Sequence, residues 1–80
     1  MIPPRKMFLI EWSDSCAEHG WQSENDVSNV PATCWTVGFI VRDGLHGLTV
    51  APTVSNQGLT LDPLTIPKGC IQSIKQLRVR

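Results

Sequence analysis

Apolar and polar residues alternate most regularly between Cys34 and Val54. Trp35, Val37, Phe39 and Val41 alternate with Thr36, Gly38 and Ile40. Beyond Arg42-Asp43-Gly44-Leu45-His46-Gly47, Leu48, Val50 and Pro52 alternate with Thr49 and Ala51. Period-two alternation rich in β-branched and aromatic residues predicts an antiparallel hairpin with one face buried. A lone hairpin is marginal in water, so the rest of the chain must supply strands that cover it.

Met7-Phe8-Leu9-Ile10-Glu11-Trp12 predicts a first strand, with Phe8, Ile10 and Trp12 on one face. Ser13-Asp14-Ser15 ends it, because these side chains bond their own backbone. The pattern is then lost from Ser13 to Ala32, a long connection for so small a chain. Within it, Ser23-Glu24-Asn25-Asp26 has the order of an N-cap followed by a short helical turn. After the hairpin, Ser55-Asn56-Gln57-Gly58 is a turn cluster and Leu59-Thr60-Leu61 a short strand that Asp62-Pro63 breaks. Leu64-Thr65-Ile66 is another short strand, which Pro67 confines to an edge or to its own last residue. Lys68-Gly69-Cys70-Ile71 predicts a tight 3₁₀-like turn, and Ile74 to Val79 a final strand, with a short helix as the competitor because Ile71, Ile74 and Leu77 recur every three residues. The expected fold is mainly β: a small SH3-like or Sm-like barrel of five or six short antiparallel strands. It forms one domain over residues 1–80, with a long polar loop at 13–32. Gly38 interrupts an otherwise regular strand and marks a bulge or a place where another backbone or a ligand comes close.

Length changes the picture first. A domain of 80 residues buries a modest share of its surface, and such domains often gain stability by self-association, metals or disulfides. Cys16, Cys34 and Cys70 are odd in number, with no Cys-x-x-Cys pair, so reduced thiols are expected, with Cys34 and Cys70 as small core residues. A homo-oligomer is therefore expected. The formal net charge is zero, which argues against a duplex-DNA binder. The charge is nevertheless uneven. Glu11, Asp14, Glu18, Glu24 and Asp26 follow one another without a Lys or Arg among them, and Lys68, Lys75, Arg78 and Arg80 without an acid. Met7 to Ile10 is too short an apolar run for a signal segment or a membrane span, so a cytoplasmic protein with no membrane partner is expected.

Catalytic signatures are sparse. Asp14, Cys16 and His19 are metal-ligand types, but a zinc site takes four ligands and no fourth lies near. Cys16 and His19 form the one local nucleophile–base pair, without an orienting group. Neither Gly44 nor Gly47 belongs to a phosphate-binding loop. No enzyme, metal or cofactor is expected. The tryptophans are more telling. Trp12 and Trp35 lie in strands and are expected in the core, whereas Trp21 lies in the polar loop beside Gly20. An aromatic face with a cation nearby holds a nucleotide without catalysis. The candidate ligand-binding residues are Trp12 or Trp21 for stacking, Arg42, Lys68 and Arg78 for phosphates, and Asp14, Ser15 and Asn56 as polar readers.

Glu11-Trp12-x-Asp14-Ser15, Gly20-Trp21, Thr36-Val37-Gly38-Phe39, Ala51-Pro52 and Thr65-Ile66-Pro67-Lys68-Gly69-Cys70-Ile71 together span nearly the whole chain. This combination resembles a family of small proteins encoded by bacteriophages and prophages. The resemblance implies a phage protein working in the cytoplasm of a bacterial host, similar in kind to small counter-defence "sponge" barrels. The expected function is non-enzymatic sequestration of a small anionic ligand, a cyclic nucleotide or ADP-ribose-type immune signal. The alternative is a protein-binding inhibitor or adaptor that engages a host enzyme through the acidic loop or a sheet edge.

Overall fold

The computed structural model describes residues 5–15, 17 and 19–79. Seven strands are present among them: β1 (Met7–Asp14), β2 (Ala32–Asp43), β3 (Gly47–Ala51), β4 (Thr53–Val54), β5 (Thr60–Leu61), β6 (Leu64–Pro67) and β7 (Ile71–Leu77). Two 3₁₀ turns, Glu24–Asp26 and Lys68–Cys70, complete the list of regular elements. The first follows Ser23 as N-cap, although the Ser23 side chain makes no capping bond. The second runs straight into β7, which therefore starts at Ile71 rather than Ile74.

Five strands form one antiparallel sheet in the order β6-β3-β2-β1-β7, and β4 and β5 pair separately as a short arm. The long strand β2 is shared. Its first part, Ala32 to Phe39, pairs with β1, and its last part, Phe39 to Asp43, pairs with β3. The tip of this hairpin is Gly44-Leu45-His46, closed by the Gly44 amide donating to the Gly47 carbonyl at 2.9 Å.

The register assigns the faces. Phe8, Ile10 and Trp12 of β1 lie opposite Gly38, Thr36 and Cys34 of β2. These share the inner face with Ile40, Leu48, Val50 and Ile66. Ile10, Leu48, Val50 and Ile66 form the buried cluster, and Phe8, Trp12, Ile40 and Ile71 pack against it. The inner positions of β2 beside Ile10 are small, and this lets the sheet fold over β2. A Cβ on Gly38 would lie 2.7 Å from Val50 Cγ1 and 2.8 Å from the Ala51 carbonyl oxygen. Gly38 is thus a close-approach position, and what approaches is the chain's own β3. The bulges fall elsewhere, at Val41 on β2 and at Gln72 on β7, the latter opposite the Glu11–Trp12 step of β1.

The curled sheet does not close into a barrel. Among the described residues β6 and β7 are its two edges, joined through the Lys68–Cys70 turn and not by a ladder. β6 has four residues and ends at Pro67, which has no N–H to give. Closure would bury Leu64 and Ile74, which lie on the inner face at the two edges; they remain 41% and 47% exposed. The molecule is correspondingly long, 54 × 24 × 24 Å, with a radius of gyration of 16.2 Å. A compact chain of this length has about 12 Å.

Candidate functional site

Trp12 is a structural residue first. It packs on the buried cluster, and its Nε1 donates to Thr36 Oγ1 at 3.0 Å across the β1–β2 pair. Trp35 differs from the core position expected for it. Directly opposite Glu11, it lies on the outer face, 63% exposed, with Nε1 donating to Glu11 Oε1 at 3.1 Å. One position along β2 decides this, because neighbouring residues point to opposite faces. Trp21 stands fully exposed in the loop between β1 and β2.

Asp14 and Ser15 end β1, where Asp14 Oδ1 accepts from the Ser15 amide at 2.8 Å. Ser15 also borders an open depression of about 230 Å³ whose other walls are Ser28, Asn29, Val30 and Pro31. That volume is below the roughly 300–1,000 Å³ of a usual small-molecule site. Asn56 sits on the β4–β5 turn, where Ser55 Oγ accepts from the amides of Gln57 and Leu59. Lys68 pairs with Asp43 beside the hairpin tip, and its amide donates to the His46 carbonyl at 2.9 Å. Its charge is therefore matched within the fold. Cys34 and Cys70 are half-buried free thiols. Cys16 of the Asp14–Cys16–His19 trio lies outside the described residues. Among the described residues no three His, Cys, Asp or Glu side chains gather as metal ligands.

Two of the candidate cations are brought together. β1 lies between β2 and β7, with Met7 opposite Phe39 on one side and Leu77 on the other. Lys6 and Arg78 flank this row at the same end of their strands. Arg5 reaches across to β2, its Nη1 donating to the Ile40 carbonyl at 3.4 Å. Arg42 follows two residues later, just past the bulge. Arg5, Lys6, Arg42 and Arg78 are all exposed. Arg5, Lys6 and Arg78 adjoin the same end of β1 and β7, and Arg42 lies three residues beyond Phe39 on β2, so this end of the sheet is a basic corner. Next to it on the outer face is the row Leu77–Met7–Phe39, each residue half-buried. The acids Asp14, Glu24 and Asp26 belong to the far end of β1 and the loop after it. Positive charges gathered at one end of a small protein make the local potential positive.

Arg5, Lys6 and Phe39 were not among the residues singled out from the sequence. Arg5 and Lys6 become partners of Arg42 and Arg78 only when β1 inserts between β2 and β7. The signal that existed was the pair of basic residues immediately before the first strand. Compared with protein-family models, curated proteins and solved structures, the chain matches none. No helix among the described residues is long and apolar enough to cross a membrane.

Proposed function

We propose that the protein works by binding and that it captures a small anionic ligand at the corner formed by Arg5, Lys6, Arg42 and Arg78. The observation that carries this reading is the placement of four exposed cations at one end of the neighbouring strands β1, β2 and β7, next to the row that includes Phe39. Cations supply charge-assisted hydrogen bonds to phosphate, and an aromatic face supplies sequence-tolerant stacking to a base. A nucleotide-type signal, a cyclic nucleotide or an ADP-ribose derivative, has both parts. In a phage setting, stoichiometric capture of such a signal would blunt a host antiviral response without any turnover.

Calorimetric titration with a panel of cyclic dinucleotides, cyclic trinucleotides and cyclic ADP-ribose isomers tests this. At least one member binds the native protein, and the Arg42→Ala/Arg78→Ala variant loses tenfold or more of the affinity while keeping its β-sheet spectrum. Absence of heat across the panel at high micromolar ligand sinks the reading.

A second reading, a protein-binding inhibitor or adaptor, is favoured by a different observation. Trp35 and Val37 stand side by side on the outer face, 63% and 55% exposed. Exposed tryptophan in an apolar neighbourhood is a common anchor of protein interfaces. Recovery of one defined host protein, lost on Trp35→Ala and retained by the Arg42→Ala/Arg78→Ala variant, would move the assignment there.

A further inference from the structure

Among the described residues strand β7 presents a free edge. It is the last strand of the sheet, seven residues long and without proline, and Gln72 to Gln76 are exposed. At its centre Ile74 lies on the inner face, opposite Ile10, yet is 47% exposed. An unpaired ladder ending beside an uncovered isoleucine is a template for another strand.

The surface of the subunit points the same way. Its accessible area is 6623 Å², whereas a folded monomer of 8.9 kDa exposes about 4,800 Å². The excess of about 1,800 Å² belongs to the whole elongated molecule, the exposed loop between β1 and β2 included, and leaves room for the roughly 800 Å² that one partner contributes to a standard interface.

We infer that β7 pairs with β7 of a second copy, antiparallel and centred on Ile74, to make one continuous ten-stranded sheet. This register is self-complementary. Ile74 meets Ile74 of the partner subunit on the two-fold axis, and Gln76 lies toward the partner's Gln72, the extra residue at which the regular pairing of β7 ends. Lys75, the one charge on the strand, meets the partner's Ser73 rather than another lysine. On the partner, Ser73 has Glu11 as its neighbour on β1, on the same face. Each Lys75 is thus directed along a row that ends on an acid of the other copy, and the symmetry repeats this twice. Inner-face isoleucine lies against isoleucine, and no like charges are opposed, which is the condition for favourable cross-strand pairs.

Two measurements test the dimer on the full chain. Sedimentation equilibrium gives twice the chain mass for the native protein and the monomer mass for Ile74→Lys, whose circular dichroism stays native because the position is half-exposed. Mild oxidation of Ile74→Cys gives a covalent dimer, because residues facing across a two-fold axis have Cα atoms about 4.5–5.5 Å apart, within disulfide reach. Gln76→Cys does not cross-link, since its copies are offset by four residues, about 13 Å. The native protein, with its own cysteines, is the blank. A monomeric native protein at high micromolar concentration overturns the inference. So does any assembly in which Ile74→Cys fails to cross-link or Gln76→Cys cross-links equally well. None of these results depends on the ligand, so the dimer and the anion site stand or fall separately.

Discussion

On the inner face of β1, Phe8, Ile10 and Trp12 pack onto the cluster of Leu48, Val50 and Ile66. One residue away, on the outer face, Leu9 and Glu11 lie beside Val37 and Trp35, and the latter two are more than half exposed. Both faces are rich in apolar side chains, so composition does not separate them. Curvature does. Small residues on the inner side of β2, Thr36 and Gly38, let β3 fold toward β1 and seal one face. The outer face gains no such cover. The inner face therefore accounts for the fold, and the outer face, with the basic corner at its end, is left to act on something else.

Substitutions that sharpen this contrast fall in a definite order. Ile10→Ala removes a fully buried side chain from the centre of a small core. It is expected to cost about 2–5 kcal/mol in urea unfolding, a large part of the stability of a domain this size. Gly38→Ala comes next. The added Cβ meets Val50 Cγ1 and the rigid Ala51 carbonyl, both within 3 Å. Overpacking of this kind costs about 1–3 kcal/mol and is expected to flatten the curl, read as a lower urea midpoint and altered tryptophan emission. Trp35→Ala is smallest. It gives up one exposed hydrogen bond to Glu11 and little burial, so a loss under about 1 kcal/mol is expected. If Trp35→Ala were as damaging as Ile10→Ala, the outer face would be core, and the contrast between the faces would collapse.

Much of the fold was legible because its signals are local. Alternation marked the β2–β3 hairpin, Ser23 and the acids after it marked the first 3₁₀ turn, and Lys68-Gly69-Cys70-Ile71 marked the second. The features that were not legible depend on partners distant in sequence. Alternation shows that β2 has two faces but not which one turns inward, and so Trp35 was expected in the core. Gly38 was legible as a close-approach position, while the identity of its neighbour, Ala51 of β3, required the bend. Barrel closure was expected from the number and order of strands. It fails in the subunit because β6 is short and ends at Pro67, leaving Ile74 and Leu64 at open edges. Of the candidate binding residues, Arg42 and Arg78 come together because β1 inserts between β2 and β7. Lys68 is neutralised by Asp43, Trp12 is held by the core and by Thr36, and Asn56 rides on the separate β4–β5 arm. None of these placements follows from spacing along the chain.

The open β7 edge adds a consequence for binding. In the proposed dimer the outer faces of two subunits join into one surface, and the two basic corners lie at opposite ends of the paired β7 strands. Two equivalent anion sites per dimer are then expected.

The central claim, that the basic corner and not the acidic loop receives the ligand, is tested most directly by amide chemical shifts recorded during titration with the best-binding nucleotide of the panel. The account predicts that the largest shifts cluster at Lys6, Met7, Phe39, Arg42, Leu77 and Arg78, while Trp21, Glu24 and Asp26 stay in place. Shifts centred on the loop between β1 and β2, with the corner unmoved, would contradict it.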